Sequence, residues 1–184
     1  YDEYSEYSLR SLFYRANYSY KDRYLLELNG RYDGSSKFPQ NHRFGFFPSV
    51  SAGWQIAKEN FMEGLKGTIT ELKLRASYGS IGNQNINPYS YSPTLAVAKS
   101  NVWAANQDRV TVIGTPALVS DNFTWETVTS ADIGLDFGLF KNKLSGVFDW
   151  YQRDTKDMLS AGSPLPGVVG ASAPLQNTAS MRTR

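Results

Sequence analysis

The 184-residue sequence predicts an all-β fold, specifically an antiparallel transmembrane β-barrel segment of about six strands with long external loops. Three observations lead to this prediction. Apolar and polar residues alternate over long stretches of the chain. The apolar face of those stretches lacks charge and collects aromatic residues near the strand ends. The connections between the stretches tend to alternate between short and long.

The clearest element is a hairpin that spans Leu12–Tyr32 and turns at Lys21–Arg23. Successive side chains of a strand point to opposite sides, so a period of two gives one apolar face and one polar face. The apolar face holds these alternate residues: Leu12, Tyr14, Ala16, Tyr18 and Tyr20 before the turn, then Tyr24, Leu26, Leu28, Gly30 and Tyr32 after it. The pattern predicts two paired amphipathic strands.

Four further strands follow from the same alternation. They are predicted at Phe44–Ile56, Glu71–Ile81 and Thr124–Phe140, with a last strand beginning at Leu144. Pro48 has no backbone N–H to donate to a neighbouring strand, so a bulge or a local sheet edge is expected there.

The connections fit a barrel in most places. The turns at Lys21–Arg23 and Lys141–Lys143 are short, whereas the connection Gly82–Phe123 is long and has only weak strand signals at residues 94–99 and 109–113. Outer-membrane barrels have short periplasmic turns and longer external loops. The connection Ala57–Thr70, predicted to form a short helical turn, is longer than this rule expects, and the tail from Ser160 onward is predicted to be a loop.

The two faces of the predicted strands differ in charge. The apolar face, on which Trp125 is placed with Ile133 and Leu135, is predicted to be free of charged residues. The opposite face carries Arg15, Glu27, Arg31, Lys73, Arg75, Asp132, Asp136, Asp149 and Arg153. A Lys or Arg facing lipid at the middle of a bilayer would cost roughly 2–4 kcal/mol, so a barrel requires this separation. Since a sandwich core also excludes charge, this test permits both folds.

Aromatic residues near the strand ends favour the barrel over a sandwich. On the apolar face, Tyr18, Tyr20, Tyr24 and Trp54 lie near the short turns, and Tyr32, Phe44 and Tyr78 lie near the long loops. Tyr and Trp prefer the boundary between water and hydrocarbon because one end of each ring system is apolar and the other forms hydrogen bonds. A sandwich would place its aromatic residues near the middle of the strands.

Composition excludes several classes of protein. The net charge of +2 is small and its basic residues are scattered, which argues against a nucleic-acid surface. Cysteine is absent, so the sequence has neither a disulfide framework nor a thiolate metal site. The chain has no apolar run long enough for a membrane helix, although a barrel would show no such run either.

Few residues are candidates for chemistry. His42 is the only histidine, and a lone histidine cannot build a histidine-based metal site. Asp132 and Asp149 are candidates for the carboxylate pair of a glycoside hydrolase, but pairing with Arg15, Arg31 or Arg75 along a wet lumen is the favoured interpretation. Tyr89, Tyr91 and Trp103 in the long loop are candidates for contact with a ligand or partner, or for packing within the loop. No cofactor is predicted.

Several long stretches resemble the barrel region of SusC/RagA-type TonB-dependent outer-membrane transporters of Gram-negative bacteria. The stretches are RYLLELNGRYDGSSKFP (residues 23–39), RFGFFPSVSAGWQIAKENFM (43–62), ELKLRASYGSIGNQNINPY (71–89) and TWETVTSADIGLDFGLFKNKLSGVFDWYQRDTKDML (124–159), with LPGVVGASAP and NTASMRTR near the end. Residues 90–123, which match least, lie where an external loop of the family varies.

This resemblance implies a barrel of about 22 strands with a plugged lumen. It also implies a SusD-like surface lipoprotein as partner, energy supplied through TonB, contact with outer-membrane lipid, and import of an oligosaccharide or peptide without catalysis. Residues 1–184 are expected to be a partial barrel domain, with the plug domain and the TonB box outside them. No ligand residue follows from the resemblance, because the matching motifs are structural.

Two consequences can be stated before the fold is known. Six strands cannot close such a barrel, so the segment is predicted not to fold independently. The alternative function is that of a soluble β-sandwich carbohydrate-binding module, in which the aromatic loop residues would form the site.

Overall fold

A computed structural model describes residues 4–103, 109–120 and 123–184. Within these ranges the chain forms nine β-strands joined by turns, loops and short 3₁₀ segments. The strands are β1 (Leu9–Tyr20), β2 (Tyr24–Ser35), β3 (Phe44–Gln55), β4 (Ile69–Asn83), β5 (Leu95–Trp103), β6 (Arg109–Pro116), β7 (Glu126–Leu139), β8 (Leu144–Ala161) and β9 (Leu175–Thr183). The 3₁₀ segments are Gln40–His42, Ile56–Lys58, Asn60–Leu65 and Gly167–Val169. No helix in the described ranges is long and apolar enough to cross a membrane.

Seven of these strands form one antiparallel sheet in the order β1-β2-β3-β4-β7-β8-β9, and β5 pairs with β6 in a separate hairpin. Each strand of the larger sheet therefore lies beside its neighbour in sequence, except that β4 pairs with β7 across the inserted hairpin. The predicted all-β antiparallel fold is confirmed, and the weak strand signals in the long connection correspond to β5 and β6.

The tight turns are formed by residues in the left-handed conformation. Tyr20 pairs with Tyr24, and Lys21 and Asp22 between them have φ angles of 52° and 50°. The Arg23 N–H donates to the Tyr20 carbonyl at 3.0 Å. Left-handed residues match the twist of the flanking strands, which lets two strands turn within a few residues. The turn between β7 and β8 uses three such residues in succession, Phe140, Lys141 and Asn142.

The register aligns one apolar row across six strands close to these turns. This inner row consists of Tyr20, Tyr24, Trp54, Leu74, Leu135 and Phe148, in that order from β1 to β8. The Tyr24 and Trp54 rings are stacked with centroids 6.4 Å apart and planes 10° apart. Near the loop end of the same face, Tyr32 and Phe44 stack with centroids 5.3 Å apart. Both predicted groups of aromatic residues are therefore present.

The apolar face of the sheet is exposed. Its uncovered side chains include Leu12, Tyr18, Leu26, Leu28, Tyr78, Ile133 and Phe148. The buried core is instead an aromatic cluster at the loop end of the sheet, formed by Phe38, Phe47, Phe123 and Trp125. The sheet thus has no soluble-protein core over most of its area, which is typical of a wall whose apolar side faces lipid.

Three predictions from the sequence are wrong. The tail after Ser160 is a loop only as far as Pro174, because residues 175–183 form β9 and pair with β8. Trp125 does not join the apolar face; it precedes the first residue of β7, so strand alternation does not apply to it, and it is buried in the aromatic cluster. The apolar face of β8 is free of charge as far as Trp150, but Asp154 and Lys156 share its parity farther along the strand.

The local edge expected at Pro48 is confirmed. Pro48 pairs with Gly30 of β2, but the pairing of β3 with β4 begins one residue later, at Ser49. The missing N–H therefore lies where the ladder to β4 has already ended, at no cost in backbone hydrogen bonds.

Candidate functional site at the polar face and the loop end

The polar face of the sheet is organised by one arginine that joins three strands. Arg75 of β4 donates from Nε to both carboxylate oxygens of Asp136 on β7, each at 3.0 Å. Its Nη2 donates to Asp149 of β8 at 2.8 Å. The guanidinium passes over Gly134, where an added Cβ would lie 2.7 Å from Arg75 Nη2. Glycine at this position therefore allows one cation to reach carboxylates on two strands.

Two other polar-face arginines, Arg15 and Arg31, bind neighbouring acceptors. Arg15 donates to Asn29 at 2.8 Å and lies 3.4 Å from Glu27, and Arg31 forms an ion pair with Asp33 at 3.1 Å. The favoured interpretation of the carboxylates as ion-pair partners is confirmed for Asp136 and Asp149. A glycoside hydrolase needs one carboxylic acid and one carboxylate free to act on a sugar, and the oxygen of Asp149 is already bound by Arg75.

A groove of about 530 Å³ lies on this polar face near the turn end of the sheet. Lys73, Arg75, Glu27 and Asp132 contribute charge to its lining. In the part of the chain that the structure describes, the ion pairs include neither Lys73 nor Asp132. The groove therefore offers one ammonium and one carboxylate to whatever occupies this side of the sheet.

A second and larger cavity, of about 750 Å³, lies among the loops at the opposite end. Its lining comes from residues 88–94 between β4 and β5, from residues 115–120 at the end of β6 and just after it, and from residues 170–175 leading into β9. Thr115 donates its hydroxyl to the Gly170 carbonyl at 3.2 Å, which joins two of these loops. The cavity is open, and its wall contains both hydroxyl groups and apolar side chains.

The three predicted contact residues have different positions. Tyr89 lines the loop cavity, is half exposed and has a φ of 62°, a conformation that is uncommon for a bulky residue. Tyr91 packs against the aromatic cluster instead. Trp103 ends β5, and its side chain lies outside the described part of the structure. Of the three, Tyr89 is therefore the residue that lines the loop cavity in the described structure.

The aromatic cluster fixes the loops that surround this cavity. Phe38 and Trp125 have ring centroids 4.8 Å apart, and the Trp125 indole N–H donates to the Arg43 carbonyl at 3.0 Å. Gly82 leaves room for the Phe47 ring, because an added Cβ there would overlap the ring. The cluster thus ties the connection before β3, and β3 itself, to the residues that lead into β7.

Asn177 of β9 joins the same region through its side-chain amide. Its Oδ1 accepts from the Thr124 N–H at 3.0 Å, and its Nδ2 donates to the Thr124 carbonyl at 2.9 Å. Nδ2 also donates to the carbonyl of Asp157, a left-handed residue where the register of β8 and β9 shifts. These bonds hold a bulge and a loop together beside the cavity.

At the turn end, one carboxylate connects the apolar face to the segment that follows β3. The buried Glu59 accepts hydrogen bonds from the Trp54 indole at 3.0 Å and from Arg23 at 3.1 Å, and Tyr24 also donates to it. The Trp54 bond, followed by those of Tyr24 and Arg23, holds the pKa of Glu59 below its usual value of 4.5. The inner aromatic pair and the segment 56–65 are therefore fixed to each other.

The described residues contain no cluster suited to a metal ion. They hold no group of three or more His, Asp or Glu side chains arranged to bind one. His42, the only histidine of the sequence, ends the 3₁₀ segment Gln40–His42 between β2 and β3.

Comparison with known proteins identifies the fold family. A family model described as "TonB dependent receptor-like, beta-barrel" matches residues 1–184. The chain belongs to this family. The predicted resemblance to SusC/RagA-type barrels is therefore confirmed, and the alternative of a soluble β-sandwich is wrong. In this barrel family the exposed apolar side chains form a lipid-facing surface, and the polar face borders the lumen.

Individual relatives agree with this assignment. TonB-dependent receptor P26 of Formosa agariphila is 40% identical over 182 residues, which cover 99% of this chain and 18% of that protein. TonB-dependent receptor SusC of Bacteroides thetaiotaomicron is 37% identical over 155 residues, which cover 84% of this chain and 15% of that protein. These relatives carry the names of receptors and not of enzymes.

Solved structures show the same architecture. The structure of the RagAB peptide transporter matches with a TM-score of 0.78 and 31% identity, covering 96% of this chain and 18% of that one. The RagAB peptide importer in its 'open-open' state matches with a TM-score of 0.80 and 30% identity, covering 97% and 19%. The present chain thus spans less than one fifth of the proteins it matches, as a segment of a larger barrel.

Proposed function

We propose that residues 1–184 form part of the wall of an outer-membrane transporter that imports an oligosaccharide or a peptide with energy supplied through TonB. One observation carries this proposal: a continuous antiparallel sheet exposes an apolar face while its other face is crossed by the Arg75 network. Such a sheet separates lipid from an aqueous lumen. Membership of the TonB-dependent receptor-like barrel family and the likeness to the RagAB peptide transporter support the transport function.

The partners follow from the same similarity and belong to this proposal. A SusD-like surface lipoprotein covers the loop end, and TonB acts through a plug domain and a TonB box that lie outside residues 1–184. The loop cavity beside Tyr89 contacts the substrate or the lipoprotein. Its hydroxyl groups and its half-exposed aromatic ring suit either a glycan or a peptide, because both present hydrogen-bonding groups next to apolar surface.

The test uses the full-length parent protein in its native bacterium. The gene is deleted, and growth is measured on mixed peptides and on mixed oligosaccharides as sole carbon sources, with and without a plasmid copy of the gene. We expect a growth defect on one of the two mixtures, which the plasmid copy rescues. The tagged protein should also fractionate with the outer membrane and bring down a surface lipoprotein. Recovery of the protein from the soluble fraction, or unchanged growth on both mixtures, would contradict the proposal.

A further inference from the structure

The charges that interrupt the apolar face of β8 form a polar ladder with β9. Beyond Trp150, the positions on this face hold Gln152, Asp154 and Lys156. On β9, Arg182 pairs with Asp154 in register, and Arg184 follows opposite Gln152. We name Gln152, Asp154, Lys156, Arg182 and Arg184 the polar ladder. Charges that face lipid are costly in mid-bilayer, so their depth decides what the ladder can do.

The ladder is held by specific hydrogen bonds. Arg182 Nε donates to Asp154 Oδ1 at 2.6 Å, and Arg182 Nη2 donates to Asp154 Oδ2 at 3.1 Å. Gln152 donates to Asp154 Oδ2 at 3.1 Å and accepts from Arg184 Nε at 3.1 Å. A bidentate arginine–carboxylate pair fixes the guanidinium plane, so the cation is positioned in advance.

The ladder presents cations outward. The Arg182 side chain is 57% exposed, whereas that of its partner Asp154 is 23% exposed. Lys156 and Arg184 are also exposed. Three exposed cations therefore surround one largely covered carboxylate, and the outer side of the ladder suits an anion.

The depth of the ladder in the membrane can be estimated from how far the inner-row residues lie from their turns on successive strands. The tight turn after β1 begins directly after Tyr20 of the inner row, whereas β8 continues four residues below the inner-row residue Phe148, to Leu144. Both turns lie on the same side of the membrane. Measured from the level of these turns, the inner row therefore rises by four residues over the four strand-to-strand steps from β2 to β8. A rise of one residue per strand corresponds to a strand tilt of about 35°. This angle follows from a rise of about 3.3 Å per residue along a strand and a spacing of about 4.8 Å between neighbouring strands.

Counting from the turns places the ladder at the far boundary of the bilayer. Asp154 is ten residues from Leu144 along β8, and Arg10, a charged residue of the same face on β1, is ten residues from Tyr20. At this tilt ten residues rise roughly 27 Å, close to the apolar band of about 25 Å in outer-membrane barrels. Charges on this face therefore recur at the level where the hydrocarbon of the leaflet on the loop side ends.

We propose that the polar ladder binds a phosphate group of an anionic lipid in the outer leaflet. The proposal rests on the outer-membrane location given above and adds a lipid partner at a defined site. Arg182, Lys156 and Arg184 donate to the phosphate oxygens. Phe148 and Trp150, exposed on the same face directly below the ladder, contact the acyl chains. Continuity with the lipid-facing surface and the excess of cations favour a lipid over a protein partner.

The test measures lipid affinity of the full-length protein purified in detergent. Lipid A and its dephosphorylated form are titrated against the wild type and against a K156Q/R184Q variant, which removes two cations and keeps the Asp154–Arg182 pair. A R15Q/R31Q variant removes the same charge from the lumen face and is the matched control. Cells that express each variant are also fractionated. A protein that is absent from the outer membrane would contradict the proposed function, whereas a protein that is in the outer membrane but has unchanged lipid affinity would contradict only the lipid site.

We expect K156Q/R184Q to bind lipid A at least about tenfold more weakly than the wild type, since each cation near an anionic surface contributes on the order of 1 kcal/mol. The R15Q/R31Q control should bind as the wild type does. A folded K156Q/R184Q protein that binds lipid A with wild-type affinity would overturn the proposal. So would equal binding of the dephosphorylated lipid. A change in oligomeric state with unchanged lipid affinity would overturn it in favour of a contact between two copies.

Discussion

Arg75 and Gly134 lie on neighbouring strands, and the glycine leaves the space through which the guanidinium reaches Asp149. Replacing Gly134 with alanine places a Cβ 2.9 Å from Arg75 Cζ, against the bonded head group of the side chain. We expect the full-length protein to lose about 1–3 kcal/mol in the free energy of unfolding, the usual cost of overpacking. Denaturant-induced unfolding in lipid vesicles measures this loss.

Gly64→Ala is the matched control for this substitution, because an added Cβ at Gly64 meets nothing within 4 Å. It should leave the free energy of unfolding unchanged. Equal stability of both variants would show that the Arg75 network does not depend on the space above Gly134.

A pH-dependent contribution to stability is predicted for Glu59. Its pKa is lower in the folded protein than the usual 4.5, chiefly because Trp54 donates to the carboxylate. A lowered folded-state pKa means that the stabilisation is fully present above the unfolded-state value and is lost as the pH falls through the folded-state value. Wild type should therefore be more stable than Glu59→Gln at pH 7, and the difference should vanish in acid below the usual carboxylate range.

Thermal melts of the two proteins across this pH range measure the difference. Glu63→Gln is the control, because Glu63 is exposed and pairs only with Lys66 at 3.2 Å in the described ion pairs. A difference between wild type and Glu59→Gln that stayed constant with pH would count against the Glu59 interaction.

The aromatic cluster should dominate the stability of the loop end. Trp125→Ala removes ring contacts with Phe38 and Phe47 and leaves the Arg43 carbonyl without its indole donor. We expect a loss of about 3–5 kcal/mol in the free energy of unfolding, as for other large-to-small core substitutions. Hydrogen exchange should also accelerate in the loops around the cavity.

Phe61→Ala is the control because it also removes an aromatic ring, but at an exposed site where the side chain is 67% exposed. Its effect should stay within about 0.5 kcal/mol. If Trp125→Ala cost no more than Phe61→Ala, the cluster would not be the core of this region.

Tyr89 and Tyr91 should separate ligand contact from packing. Tyr89→Asn removes the half-exposed ring and places a residue that tolerates the left-handed conformation. We expect weaker substrate uptake, seen as a higher KM, with unchanged thermal stability. Tyr91→Ala should instead lower stability, because its ring packs on the aromatic cluster. Uptake assays and melts on the same preparations distinguish the two results, and an unchanged KM for Tyr89→Asn would remove Tyr89 from the site.

Much of the sheet was predictable from the sequence because alternation is a local property. The hairpin around Lys21–Arg23 and the separation of apolar and polar faces follow from a period of two. The same pattern places Asp136 and Asp149 on the face that carries Arg15, Arg31 and Arg75, and the structure shows which of the three arginines binds them. The β9 strand, LQNTASMRT, is hard to predict because its alternation is weak: Leu175, Ala179 and Met181 share one parity, but Asn177 interrupts them. A stretch rich in Gly, Pro, Ala and Ser precedes the strand, and its place in the sheet is set by pairing with β8.

The loop-end site was less predictable for a related reason. Trp125 and Phe47 come together from residues far apart in sequence, and the space for Phe47 depends on Gly82 of another strand. Residue type and position in the long loop make Tyr89 and Tyr91 equal candidates, and only the structure separates the two.

The register between neighbouring strands has a consequence for the internal diameter of the closed barrel. A two-residue slip between any two strands would keep every side chain on its side of the wall, so alternation does not prevent it. Such a slip would nevertheless change the shear of the closed barrel, and with it the radius. The stacked pairs Tyr24–Trp54 and Tyr32–Phe44 oppose a slip because they match only one register. Aromatic rings on the outside of the wall thus help to set the width of the passage inside it.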